Sequence, residues 1–454
     1  MKSDMTKGSI GKHIRSIAIP ASIGFLFNTL FNVVDTFYAG QLSTEALSGL
    51  TISFPVFIII LSIASGLGNG LSALMSNSIG KKDLNKFHSF ILNGLFISLI
   101  FGFFLMILAP FIIPFLFNIT GVKGESLEYG LQYTNTIFFG SLFFIFNFVL
   151  NSILQSQGNS KPFRNYLMLG FFLNLVLDPM FIFGWFGLPK MGTAGVAIAT
   201  IIVQAIGTIY LFYEVRKSEL FDFKKFKSQK ISFNRNLEIL KQGIPAGLNL
   251  ATIAIGIFII NFYVLKYGGV EGIAAYGSSI RIQQVALLPT IGLNFAIISI
   301  VGQNFGAKKL DRVNKTKSKA LKYGLIMATI GGLLLFVFAP NLVSIFDNNQ
   351  NVINIGATYL RIDTVGFLTY IILNVHISTL QGLKKPSYGL WIALFRQLTP
   401  IVVFPFLAEI LKLNLNGVWI GIVTINWIAT FIIIFITLKI QKEIASKEEL
   451  STNS

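Results

Sequence analysis

The chain alternates long apolar runs with short polar segments over its whole length. Uncharged stretches such as residues 96–117 are as long as the roughly 20 residues that a helix needs to cross a bilayer. Glycine, proline and clusters of charge separate these runs. The twelve predicted helices cover residues 14–39, 47–76, 88–117, 127–157, 163–185, 191–213, 237–265, 271–303, 318–341, 353–380, 387–409 and 415–440. The pattern therefore predicts an all-α integral membrane protein with twelve transmembrane helices.

The two halves of the chain repeat each other at an offset of about 225 residues. The segment Ile19-Pro20-Ala21 returns as Ile244-Pro245-Ala246, and Gln157-Gly-Asn-Ser-Lys-Pro162 returns as Gln381-Gly-Leu-Lys-Lys-Pro386. Six helices in each half is an even number, so both halves enter the membrane in the same orientation. The sequence therefore predicts two parallel-repeat lobes of six helices with a cavity between them.

The predicted division of the chain follows from the repeat. Residues 1–213 form an N-terminal six-helix lobe, 214–236 a basic cytoplasmic linker, 237–440 a C-terminal six-helix lobe and 441–454 a cytoplasmic tail. Of the 36 Lys and Arg residues, 29 lie in or beside the loops on the side of the N-terminus, five lie in or near the loops on the other side, and two lie deeper within helices. Basic residues favour the cytoplasmic side of a membrane. Both termini are therefore predicted to be cytoplasmic.

Composition agrees with this interpretation and excludes several classes of function. The chain is 53% hydrophobic and 12% charged, whereas soluble domains carry about 25% charged residues. The net charge of +17 is explained by the loop bias, so we expect no nucleic-acid partner. There is no cysteine, the three histidines lie far apart, and no phosphate-binding Gly-rich loop is present. We therefore expect neither an enzyme nor a cofactor.

Carboxylates deep inside a membrane span are expensive, so each one requires a reason. Only Asp35 and Asp178 lie deep in the predicted helices of the first half. Asp35 shares a helical face with Asn28 and Asn32, and Asp178 follows Asn174 by four residues, one turn along its helix.

A polar stripe in the sixth predicted helix adds Thr200, Gln204 and Thr208 to these groups. Two carboxylates, amides and a hydroxyl facing one interior would form a site for a proton or a small hydrated cation, since oxygen ligands suit hard cations. A structural hydrogen-bond network between helices is the alternative, and the sequence leaves both open.

The second half has no evident copy of this set of residues. Ile260 stands where the repeat would place Asp35. Asp363 lies two residues after Arg361, so either a local ion pair or a functional role is open to it. Arg281 is hypothesised to be buried near the cavity, with a role in substrate binding or gating. The asymmetry predicts that ion coupling resides in the N-terminal half.

These motifs together resemble the multidrug and toxic compound extrusion family. The first helix and its exit, Asn32-Val-Val-Asp-Thr-Phe-Tyr-Ala-Gly40, look like the first helix of that family. The segments Asn174-Leu-Val-Leu-Asp-Pro179 and Gly195-Val-Ala-Ile-Ala-Thr200 resemble its fifth and sixth helices. The Gln-Gly-x-x-Lys-Pro loops in both halves also fit, and the similarity extends over nearly the whole chain.

The resemblance implies two six-helix lobes arranged as a V, and export of drugs driven by H⁺ or Na⁺. It further implies that Asp35, Asn174, Asp178 and Thr200 form a cation-coupling site, with Na⁺ a candidate ligand of the first three. It also implies that the first helix can bend at Pro20. The chain departs from family members that carry acids in both the seventh and the tenth helix.

The sequence thus predicts a secondary active exporter of hydrophobic organic cations that works by alternating access as a monomer in the plasma (inner) membrane. Asn32, Gln204 and Arg281 are candidate residues of its substrate cavity. A flippase for lipid-linked oligosaccharides from the same superfamily is the main alternative. Such a flippase should have a more cationic cavity, whereas Arg281 and Arg396 are the two candidates here for buried basic residues. An importer or a channel also remains open.

Overall fold

A computed structural model describes residues 4–120 and 122–452 of the chain. These residues form helices joined by short loops, and they contain no β-strand. The helices are α1 (Ile10–Leu42), α2 (Thr44–Gly80), α3 (Leu84–Thr120), α4 (Glu125–Phe139), α5 (Ser141–Ser156), α6 (Lys161–Phe183), α7 (Gly192–Arg216), α8 (Phe223–Lys227), α9 (Phe233–Gly306), α10 (Leu310–Val343), α11 (Gln350–Gly382), α12 (Ser387–Leu398), α13 (Pro400–Pro405) and α14 (Asn414–Thr452). A short 3₁₀ turn, Trp185–Gly187, and a π turn, Phe406–Ile410, complete them.

The described helices account for twelve membrane spans. Ten helical segments are individually long and apolar enough to cross a bilayer, and α4 with α5, bent by 50° at Gly140, forms an eleventh. The twelfth comes from α9, whose 74 residues would extend about 110 Å at the usual helical rise, several times a bilayer core. Gly269 breaks this helix with φ 61° and ψ −158°, which leaves two segments of span length. The predicted number of helices is confirmed, although one predicted span is bent at Gly140 and two others are nearly continuous within α9.

The internal repeat is visible in equivalent contacts of the two halves. Ser53 Oγ on α2 donates a hydrogen bond of 3.2 Å to the carbonyl oxygen of Gly130 on α4. Ser279 Oγ on α9 donates one of 3.4 Å to the carbonyl oxygen of Gly356 on α11. Each residue of the second pair lies 226 positions after its counterpart. Helices α1–α7 and α9–α14 therefore form two related lobes, which we call the N-lobe and the C-lobe; the exact boundaries given above stay a prediction.

The lobes contact each other closely at one end of the molecule, which we call the closed end. There α2 packs against the first part of α9 through glycines: a Cβ added to Gly66 would lie 2.7 Å from the Cα of Gly247. A Cβ on Gly306, at the end of α9, would lie 2.1 Å from the carbonyl oxygen of Asn77 on α2. No side chain fits at these positions without displacing backbone. The glycines therefore allow the two lobes to meet.

Residues 4–8, which precede α1, bind to the opposite lobe at the closed end. Met5 is 1% exposed, and its backbone N–H donates to Gln303 Oε1 at 2.9 Å. Its carbonyl oxygen accepts hydrogen bonds of 3.1 Å from Asn304 and from Arg312. We call residues 4–8 the leader. Because it precedes an N-lobe helix and binds C-lobe residues, the leader holds the lobes together at this end.

Candidate functional site

Asn174 connects the two deep carboxylates of the N-lobe. Its Nδ2 atom donates a hydrogen bond of 2.6 Å to Asp35 Oδ1 on α1 and one of 2.9 Å to Asp178 Oδ2 on its own helix, α6. Asp35 is 6% exposed, and the other two residues are fully buried. The structure therefore brings together the three residues that the spacing and the resemblance had selected.

Two oxygen atoms of this group have no hydrogen-bond donor within the described residues. They are Asn174 Oδ1 and Asp178 Oδ1, both buried. None of the ion pairs in the same part of the chain includes Asp35 or Asp178, so no basic side chain neutralises the two carboxylates. Buried oxygens without donors, next to uncompensated acids, are what a small hard cation or a proton would satisfy. The donor set fits Na⁺ as well as H⁺.

Two further residues belong to the surroundings of this site. Thr200 of α7 is 3% exposed, and its hydroxyl donates to the carbonyl oxygen of Val196 at 3.0 Å, which leaves the oxygen lone pairs free to accept. Within the described residues no hydrogen bond joins Thr200 to either carboxylate. Tyr133 of α4 is buried and interacts electrostatically with both Asp35 and Asp178. Sequence reasoning missed Tyr133 because a lone tyrosine in an apolar helix gives no spacing signal.

Gln204 lies in a separate polar cluster farther along α7. Its Oε1 accepts hydrogen bonds from Asn147 Nδ2 at 2.7 Å and from Tyr166 Oη at 2.5 Å. Thr208 donates to Asn147 Oδ1 at 2.9 Å. The predicted stripe on this helix is therefore divided: Thr200 is separate, and Gln204 and Thr208 bind Asn147. These mutual bonds saturate Gln204 Oε1, and its role as a cavity residue stays a prediction.

The other two candidate cavity residues are exposed. Asn32 lies on an exposed position of α1, three residues before the buried Asp35. Arg281, expected to be buried near the cavity, is exposed instead, because Ile282 and Gln283 occupy the buried side of this part of α9. The expectation of burial was wrong for Arg281. A contact of either residue with substrate stays a prediction.

The C-lobe contains a buried carboxylate of its own. Asp363 is 1% exposed and accepts hydrogen bonds from Gln283 Nε2 and, at 3.5 Å, from Tyr370 Oη. It forms no local ion pair with Arg361, which is exposed and donates to the carbonyl oxygen of Phe336 at 3.5 Å. Residues two apart point to different sides of a helix, which explains why the suggested pairing is wrong.

Pro20 lies in a helix that runs unbroken through it. α1 extends from Ile10 to Leu42, and Pro20 is buried in it. Proline removes one backbone donor, so the helix has one hydrogen bond fewer at this point. Near it, Ser22 Oγ donates to the carbonyl oxygen of Pro289 in α9 at 3.4 Å. α1 therefore carries a weak point where it touches the opposite lobe, and bending there stays a prediction.

Comparisons with known proteins agree with this architecture. The family profile described as MatE matches residues 20–180 and 245–406, which is one match in each lobe. The chain is 26% identical over 428 residues to the probable multidrug resistance protein NorM of Thermotoga maritima, covering 91% of this chain and 89% of that protein. It is 26% identical over 447 residues to the multidrug export protein MepA of Staphylococcus haemolyticus, covering 96% and 95% of the two chains.

A solved structure is similar over almost its full length. It is described as the outward-facing conformation of a multidrug resistance MATE family transporter of the MOP superfamily, and it matches with a TM-score of 0.90 at 26% identity. The alignment covers 98% of each chain. The arrangement of twelve helices in two lobes is thus shared with a transporter structure.

Proposed function

From the membership of this chain in the MatE family of multidrug and toxic compound extrusion transporters, which its matches in both lobes establish, we propose that it exports hydrophobic organic cations in exchange for inward H⁺ or Na⁺. Members of this family are transporters and not enzymes. The observation that carries the coupling proposal is the buried group formed by Asp35, Asn174 and Asp178, with its two oxygens that have no donor.

In this proposal the cation neutralises two acids whose simultaneous ionisation is energetically unfavourable. Like charges in a buried site repel strongly, and a bound proton or Na⁺ removes that repulsion. The Asn174 amide bonds to both acids, so a cation that draws the carboxylates together alters the contact between α1 and α6. The cation shifts the conformational equilibrium because it binds more tightly when the two carboxylates are close together than when they are apart.

α1 provides the physical connection between this site and the contact between the lobes. Asp35 lies in the second half of the helix, whereas Ala18 and Ser22 touch the second part of α9, in the C-lobe. A Cβ on Gly292 would lie 2.3 Å from the carbonyl oxygen of Ala18. Bending of α1 at Pro20 would therefore directly change the contact that α1 makes with α9 of the C-lobe.

The closed end is proposed to be cytoplasmic. The leader lies at this end. The C-terminal part of α14 is also nearby, because its residues Ile440 and Ile444 line a cavity together with Phe305 of α9. The loops at this end hold most of the basic residues, which favours the cytoplasmic side. The structure then represents a state that is closed to the cytoplasm, in a protein of the plasma membrane.

Coupling is proposed for the N-lobe alone. In the C-lobe, the positive charge of Arg396 acts on the buried Asp363. A carboxylate with a resident cationic neighbour has less need of a transported cation. In the N-lobe, neither acid has such a neighbour among the described residues.

The names of the relatives support multidrug efflux and do not favour the flippase alternative. Aromatic side chains together with carboxylates suit hydrophobic organic cations. Purified protein in liposomes tests the proposal when rhodamine 123, an aromatic cation, is followed while a proton gradient or a sodium gradient is imposed separately. Uphill movement of the dye under one of the two gradients is expected. Movement that depends on neither gradient would contradict coupled antiport.

A further inference from the structure

The C-lobe holds a guanidinium group in its interior. Arg396 lies near the end of α12, and its Nε atom donates a hydrogen bond of 2.8 Å to Oδ1 of Asn426 on α14. The central carbon of the guanidinium lies 5.7 Å from the centre of the Tyr370 ring on α11. Both contacts direct the side chain inward between three helices of the C-lobe and away from lipid.

Most hydrogen-bond donors of Arg396 have no acceptor in the described part of the chain. Arginine carries five N–H donors, and only the Nε donor of Arg396 has a hydrogen-bond partner there. Asp363 interacts electrostatically with Arg396, but the hydrogen bonds that the Asp363 carboxylate accepts come from Gln283 and Tyr370. Within the described part of the chain, no ion pair of 4.0 Å or less includes Arg396. The residue is partly exposed, and neither of its terminal nitrogens is among the fully buried side-chain atoms that lack a partner, so both keep some accessible surface.

Arg312 shows how a structural arginine is satisfied in this same molecule. Its Nε donates to Asn304 Oδ1 at 2.9 Å, and both of its terminal nitrogens donate to carbonyl oxygens of the leader at 3.1–3.2 Å. Arg396 lies at membrane depth, where an unsatisfied charge is far more expensive, and yet it lacks such acceptors. A purely structural role therefore leaves its two terminal nitrogens unexplained.

The internal repeat shows that this charge belongs to the C-lobe alone. At the offset of 226 residues that relates the Ser53 and Ser279 contacts, the position equivalent to Arg396 is Gly170. Conversely, the position equivalent to Asp178 is Phe404. The N-lobe site thus contains two acids and no base, whereas the C-lobe contains an accessible arginine, Arg396.

We propose that Arg396, anchored by Asn426, binds a carboxylate or phosphate group of the transported molecule. A guanidinium with two free terminal nitrogens matches the geometry of such anions, which it binds through two parallel hydrogen bonds. The substrate class is then an amphoteric aromatic compound, with a cationic ring system and an anionic arm. This proposal rests on the export function above and narrows its substrate.

Two dyes that differ at a single group provide the test. Rhodamine 110 carries a free carboxylate, and rhodamine 123 is its methyl ester with the same cationic ring system. Binding of each dye to purified protein in detergent is measured by fluorescence anisotropy, without any ion gradient. The wild-type protein should bind rhodamine 110 more tightly than rhodamine 123. Equal affinity, or a preference for the ester, would overturn the proposal even if every variant failed to fold.

Variants of Arg396 assign the preference to its side chain. Arg396→Gln should weaken the binding of rhodamine 110 about tenfold and that of rhodamine 123 less than about twofold. Arg396→Lys keeps the charge but loses the paired hydrogen bonds, so an intermediate loss for rhodamine 110 is expected. Arg361→Gln, the same change at an exposed arginine, is the matched control and should alter neither affinity. If Arg396→Gln still bound rhodamine 110 more tightly than rhodamine 123, Arg396 would not be the anion-binding residue.

A lipid headgroup is the other source of a phosphate, and the test separates it from a substrate. The thermal stability of wild type and Arg396→Gln is compared in nanodiscs of phosphatidylcholine alone and with phosphatidylglycerol added. Stabilisation by the anionic lipid that requires Arg396 would assign the guanidinium to lipid and overturn the proposal. Absence of dye export in liposomes, with the binding preference intact, would count only against the export function.

Discussion

The side-chain amide of Asn174 on α6 lies 2.6 Å from Oδ1 of Asp35 on α1, and this hydrogen bond joins two helices inside the N-lobe. The same nitrogen lies 2.9 Å from Oδ2 of Asp178. One neutral donor therefore holds two acids in place without supplying any positive charge. Two buried carboxylates without a basic neighbour are costly when both are charged, so a bound proton or cation would stabilise this group.

Replacement of Asp35 by asparagine is expected to remove coupled efflux while leaving expression nearly unchanged. Asparagine keeps the shape and can still bond to Asn174, but it cannot be neutralised by a cation. The accumulation of dye against a gradient should fall by about 5- to 150-fold, the range of a typical coupling free energy. Asp311→Asn, the same change at an exposed acid of α10, is the control. Undiminished dye resistance in cells carrying Asp35→Asn would exclude an essential role.

Asp178→Asn is expected to weaken transport as well, and its effect should not add to that of Asp35→Asn. Both changes disable the same site, and residues that share one network are not independent. Initial rates of efflux in liposomes for the two single variants and the double variant give the answer. A double variant that is much worse than either single one would show two separate sites.

Asp363→Asn is expected to retain ion-coupled transport but to lose stability. Its carboxylate accepts from Gln283 and Tyr370 and lies near Arg396, so the change weakens hydrogen bonds to a charged group. A loss of about 1–3 kcal/mol in the free energy of unfolding is expected, read as a lower melting temperature of the purified protein. A well-folded variant that binds dye but no longer responds to an ion gradient would reveal a second coupling site.

Much of this site could be predicted from the sequence because its residues lie at helical spacing. Asn174 and Asp178 are one turn apart, and Asp35 is the lone acid of an apolar helix. Helical spacing also placed Gln204 one turn from Thr200, but it could not reveal that the partners of Gln204, Asn147 and Tyr166, come from other helices.

Contacts between distant segments explain the other differences. Arg361 precedes Asp363 by only two residues, yet the carboxylate binds Gln283, 80 positions away in sequence. The exposure of Arg281 depends on which side of α9 packs inward, and the sequence leaves that choice open because polar and apolar residues alternate there. Helix number follows from hydropathy, whereas bends such as that at Gly140 depend on packing.

Gly66→Ala is expected to prevent closure of the lobes and to stop transport without loss of folding. The added methyl group would lie 2.6 Å from the carbonyl oxygen of Gly243 and 2.7 Å from Gly247, both in the opposite lobe. Gly277→Ala in α9 is the matched control, because nothing lies within 4 Å of its Cβ position. The chain has no cysteine, so spin labels can be placed at introduced cysteines only.

Labels at Lys81 and Lys315, both exposed and in different lobes, report the separation at the closed end. Electron spin resonance should show a longer distance in Gly66→Ala than in wild type and no change in Gly277→Ala. An unchanged distance in Gly66→Ala would mean that the glycine contact does not control closure.

Loss of the leader contacts is expected to loosen the same end. Arg312→Ala removes the hydrogen bonds that this residue makes to the carbonyl oxygens of Met5, Lys7 and Gly8. The distance distribution between the same two labels should broaden toward longer values, and transport should slow but persist. Lys319→Ala, in the same helix and exposed, is the control. A distribution identical to that of wild type would assign no conformational role to the leader.

The central claim is that the N-lobe acids bind the ion that drives export, and dye-driven counterflow tests it most directly. Liposomes containing the protein receive a gradient of rhodamine 123 and no ion gradient, while internal pH and entry of radioactive Na⁺ are followed. The account predicts that wild type moves one of the two cations against the dye flux. It predicts that Asp178→Asn binds the dye and moves neither cation. Dye movement without any counterflow in wild type, or full counterflow in Asp178→Asn, would contradict it.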